Sequence, residues 1–452
     1  MTQNLPRLMI AAGASGSGKT MVTLGILQML KKRGLKVLSC KCGPDYIDPM
    51  FHKKVLQTPS VNLDTFFTGY DMTRYLLADH GRDADIAVME GVMGYYDGVA
   101  GTSTEAGAYD LARTTDTPVV FLVNAKGMSL SVIPYIKGFL EYRQDSRIAL
   151  VLLNRVSPML YGRLKEQIEA ELPVKVAGYI PEQKELTFDS RHLGLVMPEE
   201  VADLQKKIEC FAEDLEKTID VDVLLAAAQK AAPLVCKEPK LNRNQYPVTL
   251  AVAKDEAFCF VYEDNLRLLE KMGAKLEYFS PLHDKKLPEG IQGLLLYGGY
   301  PELYAGQLSA KKEMKESIRT AIENGLPALA ECGGFLYLHD TMEDMEGHAW
   351  PMAGVIKGQA FKTGSLKRFG YITLEPRITE LYGQSPESIR AHEFHYFDST
   401  ANGEAFLARK PRSSKNWNCI QVRGNLVAGF PHIYYYANPA FAENFLRACM
   451  DR

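Results

Sequence analysis

A glycine-rich run near the start of the chain has the spacing of a phosphate-binding loop. The residues Gly13-Ala-Ser-Gly-Ser-Gly-Lys-Thr20 match the pattern G-x-x-x-x-G-K-[ST] at every position, between a strand-like and a helix-like segment. Glycines let backbone N–H groups converge on phosphate oxygens, and the helix adds its positive N-terminal end. Lys19 is expected to meet the β and γ phosphates and Thr20 to ligate Mg²⁺. The predicted nucleotide-binding residues are Gly13, Ser15, Gly16, Ser17, Gly18, Lys19 and Thr20.

Acidic residues follow two later apolar segments. Asp45 and Asp48 come after the second strand-like run, and Glu90 and Asp97 come at and after the run that begins at Ile86. A doubly wound sheet binds ligands at the carboxyl ends of its strands, and Mg²⁺ prefers carboxylate and phosphate oxygens. We therefore expect Asp45 and Glu90 to join Thr20 as metal ligands. The alternative, acids that cap helices or lie in solvated turns, stays open for Asp48 and Asp97 in particular.

A cysteine in the second half lies where a nucleophile could act. The sequence Ala330-Glu-Cys332-Gly-Gly has the form of a strand, a tight turn and a helix, a position that favours a thiolate. We expect Cys332 to be the nucleophile and His432, in Phe-Pro-His, to be its base. Backbone N–H groups of Gly333 and of Gly299 would form an oxyanion hole. The alternative is a buried packing cysteine and a structural histidine.

A pair of cysteines and a pair of histidines are residue types that could bind a metal, but their spacing does not favour a metal site. Cys40 and Cys42 share one face of a predicted strand, with no further ligands near them in the sequence. His392 and His395 are separated by two residues, so on a strand they face opposite sides. We predict packing for the cysteines, and a strand on the substrate side or at a domain interface for the histidines.

Short apolar runs predict the strands that position these residues. In the first half such runs alternate with helical patterns, which indicates a parallel sheet covered on both faces and hence a doubly wound α/β domain. These runs are residues 8–12, 36–40, 86–89, 119–123 and 148–153.

The alternation stops at a stretch rich in proline and charge and then restarts. Further strands are predicted at residues 248–253, 293–297 and 326–331, with an amphipathic helix over 262–272 closed by Gly273. We therefore predict two domains, 1–230 and 247–452, joined by a linker at 231–246.

Composition narrows the class of protein. The 452 residues are 46% hydrophobic and 24% charged with a formal net charge of −3, as expected for a soluble globular protein without a nucleic-acid or membrane partner. Eight scattered cysteines and no signal-like leader favour reduced thiols in the cytoplasm.

Taken together, these motifs resemble cobyrinic acid a,c-diamide synthases, the corrin-ring amidotransferases of cobalamin biosynthesis. The resemblance in the first half rests on residues 13–20, 43–48, 90–98 and 191–195, and in the second half on 297–302, 331–334, 392–396 and His432. It implies a dethiobiotin synthetase-like, doubly wound P-loop NTPase domain followed by a flavodoxin-like α/β class I glutaminase domain.

The resemblance also implies residue roles and partners. Asp48, Tyr46 and Asp97 would face the substrate or its activated intermediate, and Asn154 would lie in the adenine-contacting region. The cofactors would be ATP and Mg²⁺, and the substrates ATP, L-glutamine and cobyrinic acid or a related tetrapyrrole acid, with a homodimer as one option. The wider glutaminase family commonly carries a Glu two residues after its histidine, where this chain has Tyr434; the cobalamin subtype resembles this dyad.

The implied reaction is ATP- and glutamine-dependent amidation of the a and c carboxylates of cobyrinic acid through an acyl phosphate. One alternative is the same reaction on nickel sirohydrochlorin or hydrogenobyrinic acid. An alternative of another class is a P-loop ATPase of the partitioning type that works as a protein switch. The thiol site argues against a switch, because a switch needs no nucleophile.

Overall fold

The computed structural model describes residues 1–182 and 198–451, with the side chains of 198–202 excepted. It divides into two compact units, residues 1–239 and 240–452. Each unit has its own buried apolar core.

The first unit is built on a parallel sheet of seven strands, in the order β4-β3-β5-β2-β6-β7-β8. Every residue of its central strands β2 and β5 is buried, which explains why they are short and almost wholly apolar. The strands of the first unit are β1 (Thr2–Gln3), β2 (Arg7–Ala12), β3 (Val37–Cys42), β4 (Ser60–Leu63), β5 (Ile86–Glu90), β6 (Val119–Asn124), β7 (Ile148–Asn154), β8 (Lys175–Ile180) and β9 (Leu234–Val235).

Helices connect these strands. Asp64 begins α3 by accepting hydrogen bonds from the N–H groups of Phe66 and Phe67, and Pro158 stands in the first turn of α6. The helices of the first unit are α1 (Lys19–Lys32), α2 (Ile47–Lys54), α3 (Thr65–His80), α4 (Ala108–Thr114), α5 (Val132–Glu141), α6 (Pro158–Glu171), α7 (Pro198–Glu216) and α8 (Val221–Gln229), with short 3-10 turns at Gly81–Asp83 and Val99–Gly101.

The main sheet of the second unit has the order β11-β10-β12-β13-β23-β22, parallel except for the edge strand β22. Its first five positions follow the flavodoxin order. The strands of this sheet are β10 (Thr249–Ala253), β11 (Lys275–Phe279), β12 (Gly293–Leu296), β13 (Ala328–Glu331), β22 (Gln421–Arg423) and β23 (Leu426–Gly429).

Two further sheets complete the second unit, a four-stranded one ordered β15-β14-β16-β19 and an antiparallel five-stranded one ordered β21-β20-β17-β18-β24. Their strands are β14 (His339–Glu343), β15 (Ala349–Pro351), β16 (Ile356–Lys362), β17 (Arg368–Pro376), β18 (Ile389–His395), β19 (Phe397–Ser399), β20 (Phe406–Arg409), β21 (Asn416–Cys419) and β24 (His432–Ile433). The helices are α9 (Glu263–Met272), α10 (Ala305–Ala310), α11 (Lys312–Glu323), α12 (Gly333–Tyr337) and α13 (Pro439–Met450), with 3-10 turns at Pro301–Tyr304 and Tyr435–Ala437.

The sequence-based prediction of the fold class is confirmed. The predicted strands of the first half correspond to β2, β3, β5, β6 and β7, and the predicted helix ending at Gly273 is α9, whose closing glycine has a φ of 116°. The predicted linker region is ordered in its first part, because Leu234–Val235 pairs with Thr2–Gln3. No helix in the described part of the chain is both long enough and apolar enough to cross a bilayer.

Candidate active sites

The phosphate loop of the first unit connects β2 to α1. Its shape depends on two glycines with positive φ. Gly16 and Gly18 have φ values of 73° and 95°, which a residue with a Cβ rarely adopts. A Cβ at Gly18 would lie 2.6 Å from Asn154 Nδ2, and this amide donates to the carbonyl of Ser17 at 2.8 Å. Asn154 therefore supports the loop from behind.

Lys19 folds over the loop that precedes it. Its ammonium donates to the carbonyls of Ala14 at 3.0 Å and Met93 at 2.6 Å. Burial lowers the pKa of Lys19, and the carboxylates of Glu90 and Asp97 oppose that effect. These hydrogen bonds hold the Lys19 side chain at the loop, where an ammonium can neutralise phosphate charge.

Glu90, the last residue of β5, links this loop to the acidic segment. Glu90 Oε1 accepts a hydrogen bond from Thr20 Oγ1 at 2.7 Å and another from Lys41 Nζ at 2.7 Å. Glu90 Oε2 is fully buried and has no hydrogen-bond partner among the residues that the structure describes. A buried carboxylate oxygen beside a threonine hydroxyl and a phosphate loop fits Mg²⁺, so Thr20 and Glu90 are suited to hold that ion.

Lys41, near the end of β3, lies at the centre of the acidic segment. Its ammonium forms an ion pair with Asp48 and lies 4.0 Å from Asp45 Oδ2. Burial opposes the charge on Lys41, but Glu90 and Asp48 outweigh it and raise the pKa of this amine above its usual value. Lys41 is therefore a permanent buried cation among acids.

The predicted acids occupy different surroundings. Asp45 Oδ1 accepts from the N–H groups of Ile47 and Asp48 at the start of α2, while its other oxygen faces Lys41. Tyr46 immediately precedes that helix. Asp97 is exposed and accepts from the N–H of Gly94 at 3.0 Å, in a turn that passes beside the phosphate loop.

Cys332 of the second unit lies at a strained turn between β13 and α12. Its φ of 46° and ψ of −103° are rare for a residue with a side chain, and its N–H donates to the carbonyl of Gly429 at 2.8 Å. Burial raises the pKa of the Cys332 thiol above its usual range, so the resting thiol is protonated. Burial outweighs the hydrogen bond from the N–H of Gly333, which favours the thiolate, so the thiolate expected from the sequence is not the resting form. The thiol needs a base.

His432 is brought to that thiol through Gly298. A Cβ at Gly298 would lie 2.7 Å from His432 Cε1 and 3.5 Å from Cys332 Cβ, so both side chains converge on one glycine. His432 stacks on His392 of β18, with ring centroids 4.9 Å apart. Burial, followed by the nearby His395, lowers the pKa of His432 to about 3. A neutral imidazole is the form that can accept a proton.

Backbone groups surround the same point. The N–H of Gly333 hydrogen-bonds the Cys332 sulfur, and a Cβ at Gly333 would lie 3.1 Å from the nitrogen of Gly299. At Gly299, where φ is 157°, a Cβ would lie 2.1 Å from the carbonyl oxygen of Ala257. At both positions a side chain would collide with neighbouring atoms, so both need glycine, and the nitrogen of Gly299 lies beside Gly333.

Both halves of this chain match known protein domains, and full-length relatives match nearly all of it. Residues 8–196 match the CobQ/CobB/MinD/ParA nucleotide binding domain, and residues 249–440 match the CobB/CobQ-like glutamine amidotransferase domain. The cobyrinate a,c-diamide synthase of Caldanaerobacter subterraneus subsp. tengcongensis is 39% identical over 98% of this chain and 98% of its own length. The chain belongs to the cobyrinate a,c-diamide synthase family. Proteins of that name from Listeria innocua (39% identical, 96% of this chain and 97% of theirs) and Salmonella typhimurium (38%, 97% and 97%) agree.

Family membership bears out the recognition drawn from the sequence motifs, and the structure shows where those motifs lie. Both His392 and His395 lie on β18 with opposite orientation: His392 stacks on His432, and His395 stacks on Phe430 with centroids 3.9 Å apart. The family motif at residues 191–195 lies outside the described residues.

Two polar residues at these sites were given no role from the sequence. Lys41 interrupts the otherwise apolar strand β3, and Glu331 ends the apolar strand β13. Glu331 Oε2 lies 3.8 Å from His432 Nδ1. The signal that identified Glu90, a charge at the carboxyl end of a buried strand, applies equally to both residues.

Proposed function

We propose that this chain catalyses the ATP- and glutamine-dependent amidation of the a and c carboxylates of cobyrinic acid. Residues 1–230 would bind ATP and the tetrapyrrole acid, and residues 247–452 would release ammonia from glutamine. The observation that carries this proposal is the presence, in one chain, of a phosphate loop facing buried carboxylates and of a cysteine–histidine pair at a strained turn. Neither site alone would require the other.

In the first unit, a carboxylate oxygen of the substrate would attack the γ-phosphorus of ATP, and ADP would leave. Lys19 is positioned at the loop carbonyls to neutralise charge on the transferred group. Mg²⁺, held by Thr20 and Glu90 and with Asp45 near them, would supply further charge neutralisation at the phosphates. The resulting acyl phosphate has a good leaving group, which a free carboxylate lacks.

Asp97, Asp48 and Tyr46 are proposed to face the substrate or this intermediate. Asp97 is the exposed member of the set, in a turn beside the phosphate loop, and its charge acts on Lys19. An exposed carboxylate there can accept a proton from ammonia as the amide forms. Ammonia nitrogen would attack the acyl carbon, and inorganic phosphate would leave.

In the second unit, the Cys332 sulfur would attack the side-chain amide carbon of glutamine. His432 would accept the thiol proton and pass it to the departing ammonia, and the N–H groups of Gly299 and Gly333 would stabilise the tetrahedral oxyanion. His432 would then activate water to hydrolyse the glutamyl thioester, which releases glutamate and restores the thiol.

The test is incubation of the purified protein with ATP, glutamine and a panel of tetrapyrrole acids, followed by mass spectrometry. Cobyrinic acid should show the mass change of a hydroxyl replaced by an amino group at two carboxylates. Amidation of nickel sirohydrochlorin or hydrogenobyrinic acid alone would overturn the substrate and keep the mechanism. ATP hydrolysis without glutamine use or amidation would favour the switch-type ATPase instead.

A further inference from the structure

The wider glutaminase family commonly completes its triad with a Glu two residues after the histidine, and this chain has a tyrosine there. Tyr434 stands two residues after His432, and its hydroxyl donates to Asp264 Oδ2 on α9 at 2.5 Å. Its ring packs edge-on against Tyr262, with centroids 5.0 Å apart. Tyr434 therefore connects the segment directly after β24 to α9, and it brings no carboxylate to the imidazole.

A carboxyl group does reach His432 from a different strand. Glu331, the last residue of β13, places Oε2 3.8 Å from His432 Nδ1, and its Oε1 accepts from the N–H of Ile433 at 3.4 Å. The side chains of Glu331 and His432 are only 7% and 3% exposed. Because Glu331 immediately precedes Cys332, one turn of the chain delivers both the nucleophile and this carboxyl group.

We propose that Glu331 is the positioning residue for His432, acting from the strand before the nucleophile in place of an acid after the histidine. It orients the imidazole through Nδ1 and stabilises the imidazolium that forms when Cys332 gives up its proton. This inference rests on the proposed glutaminase activity of the second unit.

The electrostatics of the resting site fit this role. Burial raises the pKa of Glu331 to about 8 and lowers that of His432 to about 3, so the resting pair is a neutral acid beside a neutral imidazole. The reactive form is the one in which Glu331 has released its proton to solvent, before the Cys332 proton moves to His432. A buried imidazolium without a counter-charge is costly, and a carboxylate on the Nδ1 side offsets that cost. No lysine or arginine in the described ranges forms an ion pair with Glu331, so the group there that can become its cationic partner is His432, once protonated.

Other ionisable groups face the pair and enter its pH dependence. His392 of β18 stacks on His432, and His395, which stacks on Phe430, acts on His432 electrostatically. Tyr435 and Tyr297, whose hydroxyls lie 3.1 Å apart, face Glu331, and burial raises the pKa of both phenols. None of these groups supplies a negative charge at neutral pH, because phenols and imidazoles are then neutral or cationic. Two other carboxyl groups, Glu302 and Glu393, act electrostatically on Cys332, and Glu393 Oε2 lies 3.0 Å from His395 Nε2. Among the described residues, Glu331 is the acid that forms an ion-pair contact with His432 itself.

The experiment compares wild type with Glu331→Gln, which keeps size and removes charge. Glutaminase kcat/KM should fall at least tenfold and up to about 10⁴-fold, the loss seen when a triad acid becomes its amide. The rise of the rate with pH, which tracks ionisation of Glu331 in the wild type, should move to more alkaline pH. Alkylation of Cys332 by iodoacetamide across the same pH range should show the same displacement.

Matched controls separate positioning from folding. Asp264→Asn alters a buried acid that contacts Tyr434, and it should leave the pH profile in place. Ammonium-driven amidation by Glu331→Gln should match the wild type on the same preparation. If Glu331→Gln yields no folded protein, Glu331→Asp decides: the shorter carboxylate should displace the profile, and an unchanged profile would overturn the proposal.

Two further outcomes would also overturn it. One is a Glu331→Gln glutaminase with wild-type kcat/KM and an unchanged pH profile. The other is a glutaminase pH profile that is displaced in Asp264→Asn and unchanged in Glu331→Gln. That result would assign the positioning of His432 to the Asp264–Tyr434 pair. Absence of glutamine hydrolysis in the wild type would instead count against the proposed function itself.

Discussion

Replacing Lys41 with methionine removes a buried cation that contacts three acids of the first unit. The Lys41 ammonium lies 2.7 Å from Glu90 Oε1 and 4.0 Å from Asp45 Oδ2, and it also pairs with Asp48. Methionine nearly preserves the volume, so the change leaves buried negative charge without a partner. Breaking a buried ion pair from one side costs about 3–5 kcal/mol, a large part of the roughly 5–15 kcal/mol that stabilises a domain.

The size of this loss should depend on pH in a defined direction. Because the folded state raises the pKa of Lys41, its stabilising effect is fully present below the unfolded value near 10.5 and is lost only as pH rises through the folded value. Burial already raises the pKa of Glu90, and in Lys41→Met its unpaired carboxyl group takes up a proton at higher pH than in an unfolded chain. The deficit should therefore be complete at about pH 8 and smaller at about pH 5.

The assay has to resolve one unit from the other. Urea unfolding followed by hydrogen exchange of peptides from β3 and β5 reports on the first unit. Fluorescence reports on the second unit, because both tryptophans, Trp350 and Trp417, lie there. The exchange midpoint should fall and the fluorescence midpoint should stay.

Lys32→Met serves as the matched control. The Lys32 ammonium pairs with Glu213 at 2.7 Å on the surface, where solvent screens the charges, so no detectable change is expected. A Lys41→Met protein within about 0.5 kcal/mol of wild type at about pH 8 would refute the reasoning. A deficit that grows towards acid pH would refute it equally.

Three activity predictions follow from the two sites, each measured as product formation by mass spectrometry. Lys19→Ala and Glu90→Gln should abolish amidation from glutamine and from ammonia while glutamine hydrolysis continues; normal product from Glu90→Gln would remove it from the site. Cys332→Ser should lose glutamine-dependent amidation by orders of magnitude and keep amidation driven by concentrated ammonium salt, whereas equal retention in both assays would exclude the thiol from the mechanism. Gly298→Ala should show the same split, because the added Cβ would lie 2.7 Å from His432 Cε1; undiminished glutamine use would show that the ring does not act there.

The central sheets could be predicted because their strands are buried on both faces. A run such as residues 119–123 has almost no polar position, and only a parallel strand between two helix layers accounts for it. The antiparallel sheet of the second unit carries no such signal. Strand β17, for example, is half-buried at most of its positions and contains glycine and charged residues; only Ile372 and Leu374 are buried. Its apolar period is therefore short and weak.

The sequence predicts which functional residue lies at the end of a given strand, but not which residues from different strands contact each other. The phosphate loop is local, so its residues follow from one motif. The pairing of Lys41 with Glu90 depends on β3 lying beside β5, and that of Glu331 with His432 depends on the packing of β24 against β13. Such pairings between strands are set by tertiary packing, which a local pattern does not encode.

The two sites handle buried charge in opposite ways, and this difference bears on how each would work. The acids around Lys41 have their counter-charge permanently, so the fold itself orders these groups. Glu331 has no such permanent cation in the described part of the chain; its counter-charge appears when His432 takes a proton from Cys332. Stabilisation at the thiol site would therefore be absent from the resting state and present during reaction. That is the condition under which an interaction accelerates a reaction instead of merely strengthening the resting structure.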